Sequence, residues 1–360
     1  MIAETLKSRI AEHGPLSIAN FMTEALFDPR AGYYATKDPI GAGSDFITAP
    51  EVSQMFGELI GLWVMQCWDD MDRPAPFHLV ELGPGRGTMM SDILRVGRAL
   101  PGFLEAAQVT LIEASAALKS VQAQVLGPSG AQIRWVNGIE QVPPGPAIVL
   151  GNEFLDCLPV RQAVRHEGQW RERMVGLDAE GAFQFVLGPE LGVDTDLIPA
   201  RLREADDGTL VELRPGDRLL VATLAERFQS DPGRALFIDY GPAHSEPGDT
   251  LQAIRAHEKV EVLAEPGTAD LTARVDFESL IRFARESGLA AFGPITQGDF
   301  LNALGLEHRA TVLSQSAPDQ RPKIARQVWR LTDAQQMGTL FKLACLQSPD
   351  ISAPPVMSAD

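Results

Sequence analysis

The chain has 360 residues, enough for one large domain with insertions or for two domains, and its Asp and Glu outweigh its Lys and Arg to give a net charge of −17. That charge argues against a nucleic-acid binder, because the phosphate backbone would be repelled, and it suits either a solvated acidic surface or a basic protein partner. The most apolar stretch, Leu59 to Trp68, is too short to span a bilayer, and the isolated Cys67, Cys157 and Cys345 point to a reducing compartment with no metal cluster.

Met1 to Ser17 mixes Glu4, Lys7, Arg9 and Glu12 among its apolar residues, which is not a secretory signal, so a cytoplasmic location is expected. Next come a Gly-rich loop, Gly41 to Phe46, and Thr48-x-x-Glu51, which has the spacing of a capping box with Pro50 inside the first turn. Val52, Met55, Phe56, Leu59, Ile60, Trp63, Val64 and Cys67 then follow helical spacing. Residues 1–72 are therefore read as an N-terminal helical segment, either a plain core helix with a surface loop or a lid.

A strand at His78 to Leu82 runs into Gly83-Pro84-Gly85-Arg86-Gly87, after which Met90, Ile93, Leu94 and Gly97 mark a helix. A second strand, Val109 to Ile112, ends in Glu113, and a helix through Leu118, Val121 and Val125 follows. A third strand, Ile133 to Val136, closes on Asn137-Gly138, and a fourth, Ala147 to Leu150, leads into Gly151 to Pro159. Strands alternating with helical patterns predict parallel βαβ units in a doubly wound, Rossmann-like α/β sheet. Residues 160–215 break that rhythm with hairpin signals at His166-Glu167-Gly168 and Gly181, and read as an antiparallel β insertion. The α/β pattern of 73–159 resumes over 216–347, with helices near 218–229 and 277–286 and strands near 235–238, 290–295 and 339–346. The Pro-rich tail, 348–360, is expected to be disordered.

The glycine loop gives the first chemical clue. Glycines permit a sharp turn and close approach of a ligand, and the helix behind them offers N–H groups to it. A dinucleotide fingerprint, G-x-G-x-x-G, would place its third glycine at Thr88. The spacing here is G-x-G-x-G with Glu81 two residues ahead, the pattern of class I S-adenosylmethionine (SAM) methyltransferases. Glu81, Gly83, Pro84, Gly85 and Gly87 are thus candidate cofactor residues. Glu113, ending the second strand, is placed for ribose hydroxyls, and Asn137 for the adenine edge. Ligands in open α/β sheets lie beyond the carboxyl ends of the strands, so Asn152, Glu153 and Asp156 should face the same cofactor. No metal site is expected.

Gly32-Tyr33-Tyr34, Asp45 to Glu51, Glu81 to Thr88, Asn152 to Asp156, Asp239-Tyr240-Gly241, Asp270-Leu271-Thr272, Val275-Asp276-Phe277 and Thr296-Gln297-Gly298 occur in this order. Together they resemble the MidA-like family of SAM-dependent methyltransferases, from about residue 5 to residue 346. The resemblance implies the fold, the SAM cofactor and an arginine acceptor, since the family's mitochondrial member methylates a core subunit of respiratory complex I during assembly. Without an Arg-rich presequence, the chain is expected to be a bacterial member. A guanidinium is a delocalised, protonated and poor nucleophile, so carboxylates would have to hold it. Glu153 is assigned that job, with Asp156 or Asp45 as the second carboxylate. The departing proton is routed through Asp239, Tyr240 or water; His257 is a weaker choice. Competing expectations are a SAM enzyme with a small-molecule acceptor and a SAM-binding assembly factor with little catalysis. Monomer and homodimer both stay open.

Overall fold

A computed structural model describes residues 2–36 and 48–358. Its centre is a seven-stranded sheet. In chain order the strands are β1 (Phe77–Leu82), β2 (Ala107–Ile112), β3 (Ile133–Val136), β4 (Ala147–Asn152), β5 (Gly233–Tyr240), β6 (Ala290–Thr296) and β7 (Phe341–Gln347). Their order in space is β3-β2-β1-β4-β5-β7-β6, and only β7 runs antiparallel to its neighbours. Every residue of β1 is buried, as a parallel strand covered on both faces requires. The pleat divides its side chains between two cores. Leu79 packs with Phe56, Trp63 and Ile93 on one face, and Val80 packs with Val221, Phe237 and Leu280 on the other.

The chain builds β2 and β3 on one side of β1, then crosses to build β4 and β5 on the other. β1 and β4 are therefore neighbours at the topological switch point, where a crevice opens beyond their carboxyl ends. Their register pairs Glu81 with Leu150 and Leu82 with Gly151, which sets the glycine loop beside the loop that begins at Asn152.

The insertion is a five-stranded antiparallel sheet whose hairpin Arg161–His166/Gln169–Leu177 turns at Glu167 and Gly168. Both turn residues have positive φ, 51° and 74°, the backbone of a tight two-residue hairpin turn. The fifth strand is Leu16–Ser17, from the N-terminus, paired with Val175 and Met174. The helices Ile2–His13 and Ile18–Phe27 join this sheet and a small three-stranded one in a core of their own. Residues 1–72 are accordingly not one unit: the first part belongs with the insertion, and 48–70 packs on the main sheet.

Three further expectations need correction. The long helix is interrupted: Ala49–Val52 is a separate turn, Ser53 is extended, and Ser53 Oγ caps Gln54–Asp70 by accepting from Met55 N at 3.2 Å. Thr48 makes no side-chain cap bond, and the Glu51 carboxylate accepts from Thr88 Oγ1. The last strand begins at Phe341, since Met337–Leu340 form a helical turn. The tail is packed as far as it is described. Trp63 Nε1 donates to Pro355 O at 3.2 Å, Arg234 Nη2 donates to Ser352 O at 2.6 Å, and Met357 is buried. Backbone carbonyls that accept from a buried indole and a buried guanidinium hold a Pro-rich segment in place. The sequence pattern also missed three helices between β6 and β7, at Gln297–Ala303, Leu306–Ser316 and Arg321–Thr332.

Candidate active site

The glycine loop closes on itself through Gly87 N to Pro84 O at 2.7 Å, and Gly83 N donates to Ile112 O at 3.0 Å. Gly83, Gly85 and Gly87 have φ of 59°, 53° and 80°, a left-handed backbone that L side chains rarely adopt. A Cβ on Gly83 would also sit 3.0 Å from the ring of Phe154, so the loop can lie against its neighbour only without one. Gly87 then caps the helix Thr88–Gly97.

Beyond this loop lies an open cleft at the carboxyl ends of β1 and β4. Glu81, the glycine loop and Thr88 form its floor, Asn152 and Glu153 its wall, and Thr48, Pro50 and Glu51 its roof. Two hydrogen bonds clamp the roof across the cleft. Thr88 Oγ1 donates to Glu51, and Ala49 N donates to Glu153 Oε1 at 3.3 Å. The predicted lid thus has a described half that bridges both loops. Asp45 and the Gly-rich loop lie outside the described residues.

The floor carries an unbalanced group. Glu81 is only 3% exposed, and its Oε2 has no hydrogen-bond partner among the described residues. Burial alone pushes its carboxyl up to about 8. Asn152 Oδ1 is likewise buried without a partner. Two unsatisfied acceptors beside a backbone cradle fit a ligand bearing an ammonium or other donor group, as the amino-acid end of SAM does. The residues present therefore fit that cofactor.

Glu113 is buried at the end of β2, where Oε1 accepts from Ser115 N at 2.8 Å and Oε2 from Gln122 Nε2 at 3.1 Å. Gln122 Nε2 also donates to Gly85 O at 2.7 Å, and its Oε1 accepts from Trp135 Nε1 at 2.8 Å. This glutamine ties the glycine loop to Glu113, and no sequence signal distinguishes it within its helix. Asn137 is not brought into the cleft. It is exposed, and its Oδ1 accepts from Lys119 Nζ at 3.1 Å.

The wall continues into a buried acidic region. Glu153 has a φ of 49°, unusual for a side-chain-bearing residue, and its N donates to Ile238 O at 2.9 Å. Its Oε1 also accepts from Asn152 Nδ2 at 3.4 Å. Burial, with Asp156 adding repulsion, pushes the Glu153 carboxyl up to about 8. Asp156 is buried and rises to about 6, restrained by a hydrogen bond from Tyr240 and the charge of Arg214. Asp239 is fully buried, and its carboxylate is occupied. Oδ2 accepts from Leu155 N at 3.0 Å and Asp156 N at 3.1 Å, while Oδ1 accepts from Tyr240 N at 2.9 Å. These three bonds hold the acidic loop in shape. Arg214, missed in the sequence, supports the same loop by donating to Leu155 O while its Nε bonds Asp217 at 2.6 Å. Tyr34 OH donates to Asp270 Oδ1 at 3.0 Å, and Tyr240 also bonds Thr272, which brings distant motifs together. His257 is in an exposed hairpin turn with φ of 64°. Among the described residues there is no His, Cys, Asp and Glu group that could hold a metal, and no helix is long and apolar enough to cross a membrane.

The comparisons agree with this geometry. Residues 59–295 match the model of a family described as "Putative S-adenosyl-L-methionine-dependent methyltransferase". The chain is 38% identical to the mitochondrial protein arginine methyltransferase NDUFAF7 of Danio rerio, over 95% of this chain and 85% of that protein. It is 35% identical to the Homo sapiens protein of the same name, over 95% and 82%. A crystal structure of a Burkholderia thailandensis protein bound to S-adenosyl-homocysteine superposes with a TM-score of 0.85 at 27% identity, covering 98% of this chain and 93% of that one. These curated relatives are mitochondrial, which overturns the expectation of a cytoplasmic location. With its fold, glycine-loop cleft and relatives in agreement, the chain belongs to the MidA-like family of SAM-dependent methyltransferases.

Proposed function

We propose that this enzyme methylates an arginine guanidinium of a protein, with Glu153 as the carboxylate that receives it. The observation that carries the proposal is the position of Glu153, which lines the same cleft as the glycine loop and is held there by a left-handed backbone and the roof amide of Ala49. The names of the relatives supply the acceptor class, and the motif resemblance extends it to a subunit of respiratory complex I.

When bound, SAM supplies a methyl group on a positively charged sulfur. Glu81 and Asn152 would accept hydrogen bonds from its amino-acid end, the Gly83–Gly87 backbone would lie along it, and Glu113 would receive its ribose. Glu153 holds the guanidinium and draws positive charge toward the nitrogens it touches, leaving another nitrogen more nucleophilic. Asp156, fixed by Tyr240 and the Asp239-held loop, supplies the second carboxylate. Burial raises the Glu153 carboxyl to about 8, and a guanidinium beside it favours the ionised form, so that the carboxylate can hold the acceptor and take up the proton released on transfer. The roof clamp keeps water from the reacting groups.

Incubation of the enzyme with labelled SAM and a mitochondrial extract, followed by mass-spectrometric mapping, tests this reading. Label on a protein arginine is the expected result. Label confined to small molecules or to another residue type would overturn the acceptor assignment, and no transfer at all would overturn the enzyme assignment.

A further inference from the structure

The helix Arg321–Thr332 is basic in an acidic chain, with Arg321, Lys323, Arg326 and Arg330 and no acidic residue. None of these four side chains makes a hydrogen bond or ion pair with a described residue. Arg309, on the adjacent helix, shows the contrast: its guanidinium is taken up by the buried Glu58 at 2.7 and 2.9 Å. Trp329, among the basic residues, is 50% exposed. The helix is fixed against the roof of the cleft through Gln327, whose Nε2 donates to Val52 O at 2.7 Å and whose Oε1 accepts from Ser53 Oγ at 3.4 Å. Lys323, Arg326 and Arg330 stand at i, i+3 and i+7, with Gln327 at i+4, so a basic stripe runs alongside the roof. It ends close enough to the cleft for Arg330 to counter the rise of the Glu153 carboxyl.

We propose that this face is a docking surface for an acidic segment of the protein acceptor, in which carboxylates flank the target arginine and Trp329 packs against the intervening chain. The inference rests on the arginine methyltransferase reading above and deepens it. An enzyme with net charge −17 and an acidic cleft attracts any cationic peptide, and attraction alone gives no selectivity. Free positive charges at the cleft mouth change that. They repel sequences whose arginine has basic neighbours and draw those whose neighbours are acidic, steering the arginine toward Glu153. A half-exposed tryptophan among arginines is also the composition of an interface anchor.

The test uses two fluorescein-labelled peptides, each with one central arginine, flanked by aspartates in one and by lysines in the other. Binding is read by anisotropy at low and high salt, and methyl transfer is read separately with labelled SAM. Wild type should bind the aspartate peptide about tenfold more tightly at low salt, with the difference shrinking as salt rises. Lys323→Glu/Arg326→Glu should abolish or invert that preference, raise KM for the aspartate peptide, and leave kcat and SAM affinity unchanged. Trp329→Ala should weaken both peptides severalfold without altering the charge preference. Equal binding of the two peptides to wild type, or a preference untouched by the double substitution, would overturn the docking surface whether or not either peptide is methylated. Charge-selective binding with no methyl transfer would keep the docking surface and overturn the arginine reading instead.

Discussion

The two sides of the cleft reach their chemistry by different routes. The glycine-loop side is mostly backbone: three left-handed glycines, a helix start and one buried carboxylate, all within eight residues of the end of β1. The opposite side is Asn152 and Glu153, backed by side chains that arrive from far apart: Asp156 after β4, Asp239 and Tyr240 ending β5, Asp270 and Thr272 near the insertion core, and Tyr34 from the N-terminus. On the proposed reading the first side meets only the methyl donor and would serve any acceptor. On the same reading the second would have to suit one acceptor, and it depends on several elements docking correctly. Donor specificity would then be local, and acceptor specificity tertiary.

Substitutions on the two sides should therefore fail in different ways. Gly85→Val places a β-branched side chain at φ of 53° in the cradle and should abolish SAM binding with the fold intact, as checked by calorimetry and circular dichroism. Asp239→Ala leaves the Leu155 and Asp156 amides without an acceptor. It should cost about 2 kcal/mol in urea unfolding and lower kcat, with SAM affinity little changed. If unfolding and kcat stay at wild-type values, the carboxylate does not hold the loop.

A pH experiment sharpens the donor side. The Glu81 carboxyl is raised from an ordinary 4.5 to about 8, so between those limits the folded chain keeps a proton that the unfolded chain has released. Its contribution to stability is full below the lower limit and is lost as pH rises through about 8. Thermal unfolding of the free protein should fall across that window, and Glu81→Gln should flatten the decline. An ammonium group beside Glu81 favours its ionised form, so SAM binding should release a proton and strengthen as pH rises toward about 8. The smallest effect concerns the roof. Thr88→Val removes the bond to Glu51 and should weaken SAM binding by about 0.5–1.5 kcal/mol without touching peptide binding, a difference that titration calorimetry resolves.

What could be read from the sequence follows the same division. The strand, glycine loop and helix were legible because the turn chemistry is contiguous, and the hairpin at Glu167-Gly168 was legible for the same reason. The Thr48-x-x-Glu51 box matched in spacing and still failed, and the Glu51 carboxylate instead meets Thr88, 37 residues on, beyond a helix and β1. Gln122 joins Gly85, Glu113 and Trp135 from mid-helix, a position where nothing local marks a glutamine as special. Asp239 was recognised as part of a motif, yet its three amide partners became visible only in the folded loop. The helix at 321–332 was missed because only Ile324 and Leu331 of its residues are buried, too few to set an apolar period. The tail was read from its prolines as disordered, although its carbonyls are the partners of Trp63 and Arg234.

The central assignment is that Glu153 receives the acceptor in a cleft whose opposite side holds SAM. Glu153→Gln keeps size and shape while removing the charge, so it separates the two halves directly. SAM affinity by calorimetry should match wild type, and methyl transfer to protein arginine should drop at least about a hundredfold. Transfer at the wild-type rate, or loss of SAM binding together with transfer, would contradict that division of labour.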